Sequence, residues 1–429
     1  MKVLVVGGGG REHAIIKKLK QSPLCTEIWA APGNGGIAYD APCKNIAATD
    51  VDAQVEFARE EKFDYVVVAP DDPLALGLVD KLKQAGIPAF GPSAAAARIE
   101  ASKVFSKDLM KKYGIPTAEY EVFTDAKEAL NYIQQKDRYP VVIKADGLAL
   151  GKGVLICQNE EEAKSALHEM MEEKVFGASG SRVVVEEFLT GPEVSVLAFA
   201  DGKTLKPMVS SMDHKRALDG DEGLNTGGMG TVAPNPYYTE DIAQQCQKLI
   251  FEPTMAAMEA EGCPFKGCLY FGLMLTPNGP KVIEYNCRFG DPETQVVLPL
   301  LESDLLKIMM ACTDGTLDKT EVKFKNTSAV CVILASGGYP QKYEKGKPIS
   351  GLENGQLPEG DAVVYHAGTA QKDGQLVTAG GRVLGVTATA EDLPQARSRA
   401  YEAASRIHFD QLHKRTDIGC RALKALKGE

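Results

Sequence analysis

Apolar residues fall in blocks along this chain, and the block lengths separate strands from helices. Val3-Leu4-Val5-Val6 is a short unbroken apolar run, as in a strand buried on both faces. A glycine run follows, then helical periodicity from about Glu12 to Lys20. Glu27 to Ala30 and Tyr65 to Ala69 read as further short strands. A helix from about Leu74 to Ala85 leads to Ile87–Phe90 and a Gly91-Pro92 stop. Buried strands separated by helices predict a parallel sheet covered on both faces over residues 1–100.

The pattern then changes. A helix from about Ser102 to Tyr113 ends at Gly114-Ile115-Pro116. Val141–Lys144 and Val154–Cys157 read as strands joined by only nine residues. That is too short for a parallel crossover, so they are expected to form a hairpin around a glycine-rich loop. With a helix from about Glu160 to Glu173 and a strand from Arg182 to Glu186, they predict a small α+β lid over about 121–188. Val194–Ala200 and Thr204–Ser210 flank Asp201-Gly202, a hairpin signal. Cys268–Leu275 and Lys281–Tyr285 flank Pro277-Asn278-Gly279-Pro280, with a long helix near Glu240–Glu261 expected to pack beside them. The last hundred residues read as a separate α+β unit. Its strands lie near Ala329–Ala335, Ala362–Tyr365 and Val383–Thr389, and its helix at about Pro394–Ile407. The expected division is 1–100, 101–325 with the lid inside it, and 326–429: a multidomain α/β and α+β chain.

Composition narrows the function classes. The 429 residues are 44% hydrophobic and 25% charged, with a net charge of −10. These are globular proportions, and the acidic balance argues against nucleic acid as a partner. Lys17, Lys18 and Lys20 are best taken as the solvated face of a helix. Ten cysteines occur without a CxxC pair, several of them in apolar strands. They read as free thiols in a reducing compartment rather than a disulfide framework. No run reaches the roughly 18 apolar residues that would span a bilayer. The N-terminus opens on a strand rather than a signal peptide. A cytoplasmic location, with no membrane partner, is expected.

Chemistry concentrates in a few stretches. Gly7-Gly8-Gly9-Gly10 follows a strand and opens a helix, where backbone N–H groups and the helix end favour an anion. A phosphate or ribose-phosphate nest, to which Arg11 and Asn34 add hydrogen bonds, and a tight turn with no ligand both fit. The dinucleotide fingerprint fits poorly, because its third glycine position is His13 and the second strand ends in Ala30-Ala31-Pro32. Asp146-Gly147-Leu148-Ala149-Leu150-Gly151-Lys152-Gly153 is not a Walker A loop, since its spacing differs and no Ser or Thr follows the lysine. As a hairpin loop it can instead close its amides over a triphosphate. Lys144 at the end of the leading strand and Lys103 at a helix start are phosphate-binding candidates. Glu284 and Asn286, at i and i+2, share one strand face beside that loop, which suits Mg²⁺ shared with substrate phosphates; a solvated edge strand is the plain alternative. Arg288 offers a fork for a phosphoryl group or a carboxylate. Glu186, Phe188 and Glu193 mark a strand end where an adenosine could be read. Asp213-His214-Lys215-Arg216 and Asn225-Thr226-Gly227-Gly228-Met229-Gly230 have the look of chemistry-bearing loops. His214 lacks a partner at metal spacing, and no G-x-S-x-G elbow supports a nucleophile.

Taken in order, these runs, with Pro32-Gly33-Asn34 and Glu284-Tyr285-Asn286-Cys287-Arg288-Phe289-Gly290-Asp291-Pro292-Glu293, resemble the phosphoribosylamine–glycine ligase family of the ATP-grasp superfamily over essentially the whole chain. The resemblance implies an N-terminal pre-ATP-grasp domain, an ATP-grasp body with a small mobile lid, and a C-terminal domain. It implies that ATP, glycine and 5-phosphoribosylamine give glycinamide ribonucleotide, ADP and phosphate. Glu284 and Asn286 would hold Mg²⁺ or Mn²⁺. Lys103 and Lys144, with Gly147, Gly151, Lys152 and Gly153 of the loop, would meet ATP phosphates, and Glu186, Phe188 and Glu193 the adenosine. Gly9, Gly10, Arg11 and Glu12 would hold the phosphoribosyl group. Asp213 and Arg288 would face the glycine and acyl-phosphate centre, with Lys144 counted beside them in catalysis, and Asn34, Asp71, Lys215, Asn225, Thr226, Gly227 and Gly228 would complete the substrate site. The family commonly carries Gly-Pro-Glu where this chain has Ala69-Pro70-Asp71. Asp71 keeps the charge but is one methylene shorter. A single activity and a monomer are expected.

Overall fold

A computed structural model of the chain describes residues 1–148, 153–173, 175, 177–360 and 362–428. Gly151 and Lys152 of the central loop lie outside the described residues.

The first hundred residues form the expected parallel sheet. Its strands run in the order Glu27–Pro32, Lys2–Gly7, Tyr65–Val68, Ala89–Phe90. Leu4 and Val6 pack on one face with Val66 and Val68; Val3 and Val5 pack on the other with Tyr65 and Val67. Burial on both sides is why these strands carry no polar alternation. The single helix expected over Leu74–Ala85 is two, Asp71–Ala75 and Leu78–Gln84, because Gly77 between them takes φ +84. A helix at Val51–Glu60, capped by the Asp50 side chain, was not legible from the pattern.

The lid is a four-stranded antiparallel sheet in the order Tyr120–Phe123, Val183–Glu187, Val141–Ala145, Val154–Cys157. Val141, Ile143, Val183 and Val185 pack against Ala129, Ile133 and Ala163 of the helices Ala126–Lys136 and Glu160–Leu167. By alternation, Lys144 and Glu186 point from the opposite face.

The body is a second antiparallel sheet in the order Leu205–Pro207, Glu193–Asp201, Lys266–Thr276, Gly279–Asn286. Its core merges with that of the first domain: Phe271, Val196 and Tyr285 belong to the same buried cluster as Leu4 and Val66. The C-terminal hundred residues do not complete their sheet alone. Their strands Ser328–Ser336, Arg382–Ala390 and Val363–His366 continue a sheet begun by Met212–Asp213 and Gly230–Ala233 from the middle of the chain. Thr231 pairs with Cys331, and Gly230 with Val332. Without that pairing, Ser328–Ser336, buried along its whole length, would have an open edge. Among the described residues no helix is long and apolar enough to cross a membrane.

Candidate functional site

The site lies where the lid, the body and the two end domains meet. The strand Gly279–Asn286 pairs regularly with Lys266–Thr276 from Asn286 back to Glu284, then slips register between Gly272 and Leu273. The bulge leaves Ile283 out of the ladder, and its carbonyl accepts from Lys144 Nζ at 3.1 Å. Glu284 and Asn286 share one face, while Tyr285 points into the core and bonds Thr254 at 2.9 Å. Gly272 sits opposite Glu284, and a Cβ there would be 3.1 Å from Glu284 Cγ, so the small residue leaves the carboxylate its space.

Charge converges on Glu284. Burial alone would raise its pKa, but Lys215, Lys144, Lys103 and Arg288 together outweigh burial and hold it below the usual carboxylate value. Asn286 Oδ1 accepts from Arg288 Nη2 at 3.1 Å and keeps a second lone pair. Two hard oxygen donors with cations around them fit a divalent ion that takes most of its ligands from phosphates and water. Among the described residues no three His, Cys, Asp or Glu side chains gather into an all-protein cage.

On the lid side, Glu186 is the hub. Its Oε2 lies 3.0 Å from both Lys144 Nζ and Lys107 Nζ, all three residues being buried. Its Oε1 is buried without a protein partner. Lys107, absent from the sequence reading, also donates to Thr117 Oγ1 at 2.8 Å. The available signal was its spacing, one helical turn after Lys103 on the Lys103–Tyr113 helix. The base of the glycine loop is fixed by Asp146, likewise missed. Its Oδ1 accepts from Ser102 Oγ (3.0 Å) and Val104 N (3.2 Å), while Lys103 Nζ donates to Gly147 O at 3.1 Å. Gly153 closes the stem through its carbonyl to Ala145 N. Phe188 is 39% exposed at the strand end, and Glu193 pairs with Lys215 at 3.0 Å.

Arg288 is held by Glu100, a third missed residue. Glu100 accepts from Cys287 N (2.7 Å) and pairs with Arg288 Nη2 (2.9 Å), while Arg288 Nε is buried without a partner. Asp71 belongs here too: burial would raise its pKa, but Arg288 and Arg11 outweigh that and lower it. Asp213, half-buried, and Glu293, buried, are acids that interact electrostatically. Burial first, and for Asp213 the Glu293 charge, push both pKa values up. Tyr270 OH donates to Glu293 at 3.2 Å, and Ser195 shares a hydrogen bond with Tyr270.

The N-terminal glycine run differs from a vacant anion nest. Gly9 N–H donates to Glu12 Oε2 at 2.6 Å, and Arg11 N–H, just after the run, donates to Asp291 Oδ2 at 3.3 Å, so one amide of the run and the next residue's already hold carboxylates. Arg11 Nε pairs with Glu12 at 2.9 Å. At Gly10 a Cβ would lie 2.5 Å from Gln295 Nε2. Asn34 has no side-chain capacity left for a ligand. It donates to Gly8 O and His366 O and accepts from Gly36 N and Ile37 N, so it ties loops together. Asn225 pairs with Arg216 in a small two-stranded ribbon, and Thr226 bonds Lys215 O. Gly228, at φ +115, leaves no room for a Cβ, which would fall 2.5 Å from Pro292. Arg382 of the last domain donates to the carbonyls of Gly227 (2.6 Å) and Asp291 (2.7 Å). No local pattern marks it.

Residues 1–100 match the phosphoribosylglycinamide synthetase N domain, residues 101–294 its ATP-grasp (A) domain and residues 329–421 its C domain. The chain is 49% identical to a phosphoribosylamine–glycine ligase of Caldanaerobacter subterraneus subsp. tengcongensis, over 97% of this chain and 99% of that one. It is 46% identical to the human trifunctional purine biosynthetic protein adenosine-3, over 99% of this chain and 42% of that protein. The crystal structure of phosphoribosylamine–glycine ligase from Thermotoga maritima superposes with a TM-score of 0.83 at 37% identity, covering 97% of this chain and 100% of that one. The biotin carboxylase domain of Hydrogenobacter thermophilus 2-oxoglutarate carboxylase superposes at 0.75 with 18% identity, over 99% of this chain and 93% of that one, a likeness of fold alone.

Proposed function

The chain belongs to the phosphoribosylglycinamide synthetase family, and from that premise we propose that it uses ATP to join glycine to 5-phosphoribosylamine, giving glycinamide ribonucleotide, ADP and phosphate. The observation that carries this reading is the convergence of Lys103, Lys144, Lys215 and Arg288 on the Glu284 carboxylate. A cluster of cations with one central acid suits a polyphosphate and a small carboxylate brought together.

Glycine's carboxylate oxygen attacks the γ-phosphorus, the bond to ADP breaks, and glycyl phosphate forms. Lys103 and Lys144 face the negative charge of the phosphates, and Arg288, oriented by Glu100, faces the transferred group. Glu284 and Asn286 would hold Mg²⁺ or Mn²⁺, which when bound neutralises phosphate-oxygen charge. The amine nitrogen of phosphoribosylamine then attacks the acyl carbon and the carbon–oxygen bond to phosphate breaks. The proton released from nitrogen passes to the Asp213–Glu293 pair, whose raised pKa values suit it to accept one. The open Oε1 of Glu186 and the exposed ring of Phe188 supply an acceptor and a stacking face for adenosine. Asp71, whose carboxylate is kept ionised by the charges of Arg288 and Arg11, would accept from the ribose of the amine substrate. Because the Gly9 and Arg11 amides hold carboxylates, the phosphoribosyl group is met by the Arg11 guanidinium rather than by a bare amide nest.

The test is isotopic. With glycine labelled by ¹⁸O in its carboxylate, one label atom is expected in the released phosphate, and, with no trapping nucleophile added, sustained ADP release is expected to require both glycine and freshly generated phosphoribosylamine. Unlabelled phosphate would exclude the acyl-phosphate route. Turnover that phosphoribosylamine does not support but a different substrate amine does, hydroxylamine being a chemical trap and not counted, would identify a different ligase of the same fold.

A further inference from the structure

Asp291 sits where the first domain, the body and the last domain touch. From the first domain, Arg11 N–H reaches its Oδ2 at 3.3 Å. From the body, Gln295 Nε2 donates to its Oδ1 at 2.8 Å. From the last domain, Arg382 Nη1 lies 3.5 Å from Oδ1 and donates to the Asp291 carbonyl at 2.7 Å. The same Nη1 donates to Gly227 O, so one guanidinium joins Asp291 to the Asn225–Gly230 loop. Arg11 also donates through Nη1 to Phe289 O at 3.0 Å, two residues before Asp291. Burial would raise the Asp291 pKa, but Arg382 and Arg11 outweigh it, so the side chain is a carboxylate at neutral pH. Its bonded partners all lie in the first domain, the last domain and the short helix Thr294–Leu300. None is Lys103, Lys144, Glu186 or Glu284, the nucleotide end of the site.

We infer that Asp291 is a positioning residue for the amine substrate: it locks the start of the Gly10–Leu19 helix and the Gly227–Gly228 loop into one frame, so that phosphoribosylamine is held in register with the acyl carbon, while glycyl phosphate forms independently of it. This rests on the ligase reading above. It separates two half-reactions that share one site, because the carboxylate organises the walls contributed by the outer domains and leaves the nucleotide wall alone.

Asp291→Asn keeps the shape and an acceptor for Gln295 but removes the charge that holds Arg382. Three quantities are measured on the full chain: KM for phosphoribosylamine, KM for ATP, and glycyl hydroxamate formed when hydroxylamine replaces the amine. The expected result is a rise in KM for phosphoribosylamine of about tenfold or more, with hydroxamate formation and KM for ATP within about twofold of the unaltered chain. Arg382→Lys, which keeps charge but loses the fork, is expected to share the selective rise, and the double variant to add little beyond it. If Asp291→Asn does not fold, Arg382→Lys alone carries the test. An unchanged KM for phosphoribosylamine, or a loss of hydroxamate equal to the loss of turnover, overturns the inference. An unaltered chain that makes no hydroxamate from glycine and ATP fails the ligase reading instead, so the two failures are distinct.

Discussion

Lys107 offers a test in which stability and activity move in opposite directions. Two lysines share the Glu186 carboxylate, so the buried cluster carries an excess positive charge. Burial, only partly offset by Glu186, holds the Lys107 ammonium down to about 8 from 10.5. At about 1.4 kcal/mol per pH unit, that fall corresponds to about 3 kcal/mol against folding while the lysine is protonated. Lys107→Met removes the charge, fills the same volume and leaves Glu186 paired with Lys144 one to one. The lost hydrogen bond to Thr117 costs about 1 kcal/mol, leaving a net gain of about 2 kcal/mol at pH 7. The pH dependence is specific. A lysine whose folded pKa is depressed destabilises the fold fully below about 8, and that effect vanishes above 10.5, because the unfolded chain binds the extra proton only between those values. Urea midpoints, followed by far-UV circular dichroism, are therefore expected to be higher for Lys107→Met at pH 7 and to converge with those of the unaltered chain by about pH 10. Glu186 would draw Lys144 more strongly from the phosphates, so KM for ATP is expected to rise by about three- to tenfold. A midpoint at pH 7 below that of the unaltered chain, or an advantage that persists at pH 10, would refute the reasoning.

Two further outcomes follow from the same geometry. Glu284→Ala is expected to lower metal-dependent ADP release by about 10²-fold or more without altering the circular dichroism spectrum; turnover that survives would place the metal elsewhere. His366 is buried, its Nε2–H donates to Gly355 O, its Nδ1 accepts from the Thr369 hydroxyl, and its pKa is lowered to about 3, first by burial. As pH falls below 6.5 the unfolded chain takes up a proton that the folded chain refuses, which costs about 1.4 kcal/mol per pH unit. His366→Asn is therefore expected to reduce the fall in unfolding free energy between pH 6.5 and 4.5, read from urea titrations, by about 3 kcal/mol, and parallel curves would count against that assignment.

What the chain carried in its own local pattern was the layer plan and the residues proposed above to meet the nucleotide. Val3–Val6 and Tyr65–Val68 read as buried strands because both of their faces are covered, and the nine-residue link after Lys144 permitted only a hairpin. Glu284 and Asn286 could be placed on one face because side chains alternate with period two, which the bulge at Ile283 leaves undisturbed. Only the tertiary structure decided that Met212–Asp213 and Gly230–Ala233 belong to the C-terminal sheet, since Gly230–Ala233 pairs with a strand that begins about a hundred residues later, Met212–Asp213 joins the sheet only through Gly230–Ala233, and segments this short show no period of their own. The same holds for Lys107, Glu100, Asp146, Asp291 and Arg382. Asp146 and Asp291 lie inside runs that the sequence singles out, but nothing local gives any of the five a role, which each acquires from an opposite charge or a backbone group that the fold brings to it. Periodicity is a property of neighbouring residues. The energy of a buried charge depends on what the fold brings within about 3 Å of it, and that distance is set by chain segments far apart in sequence.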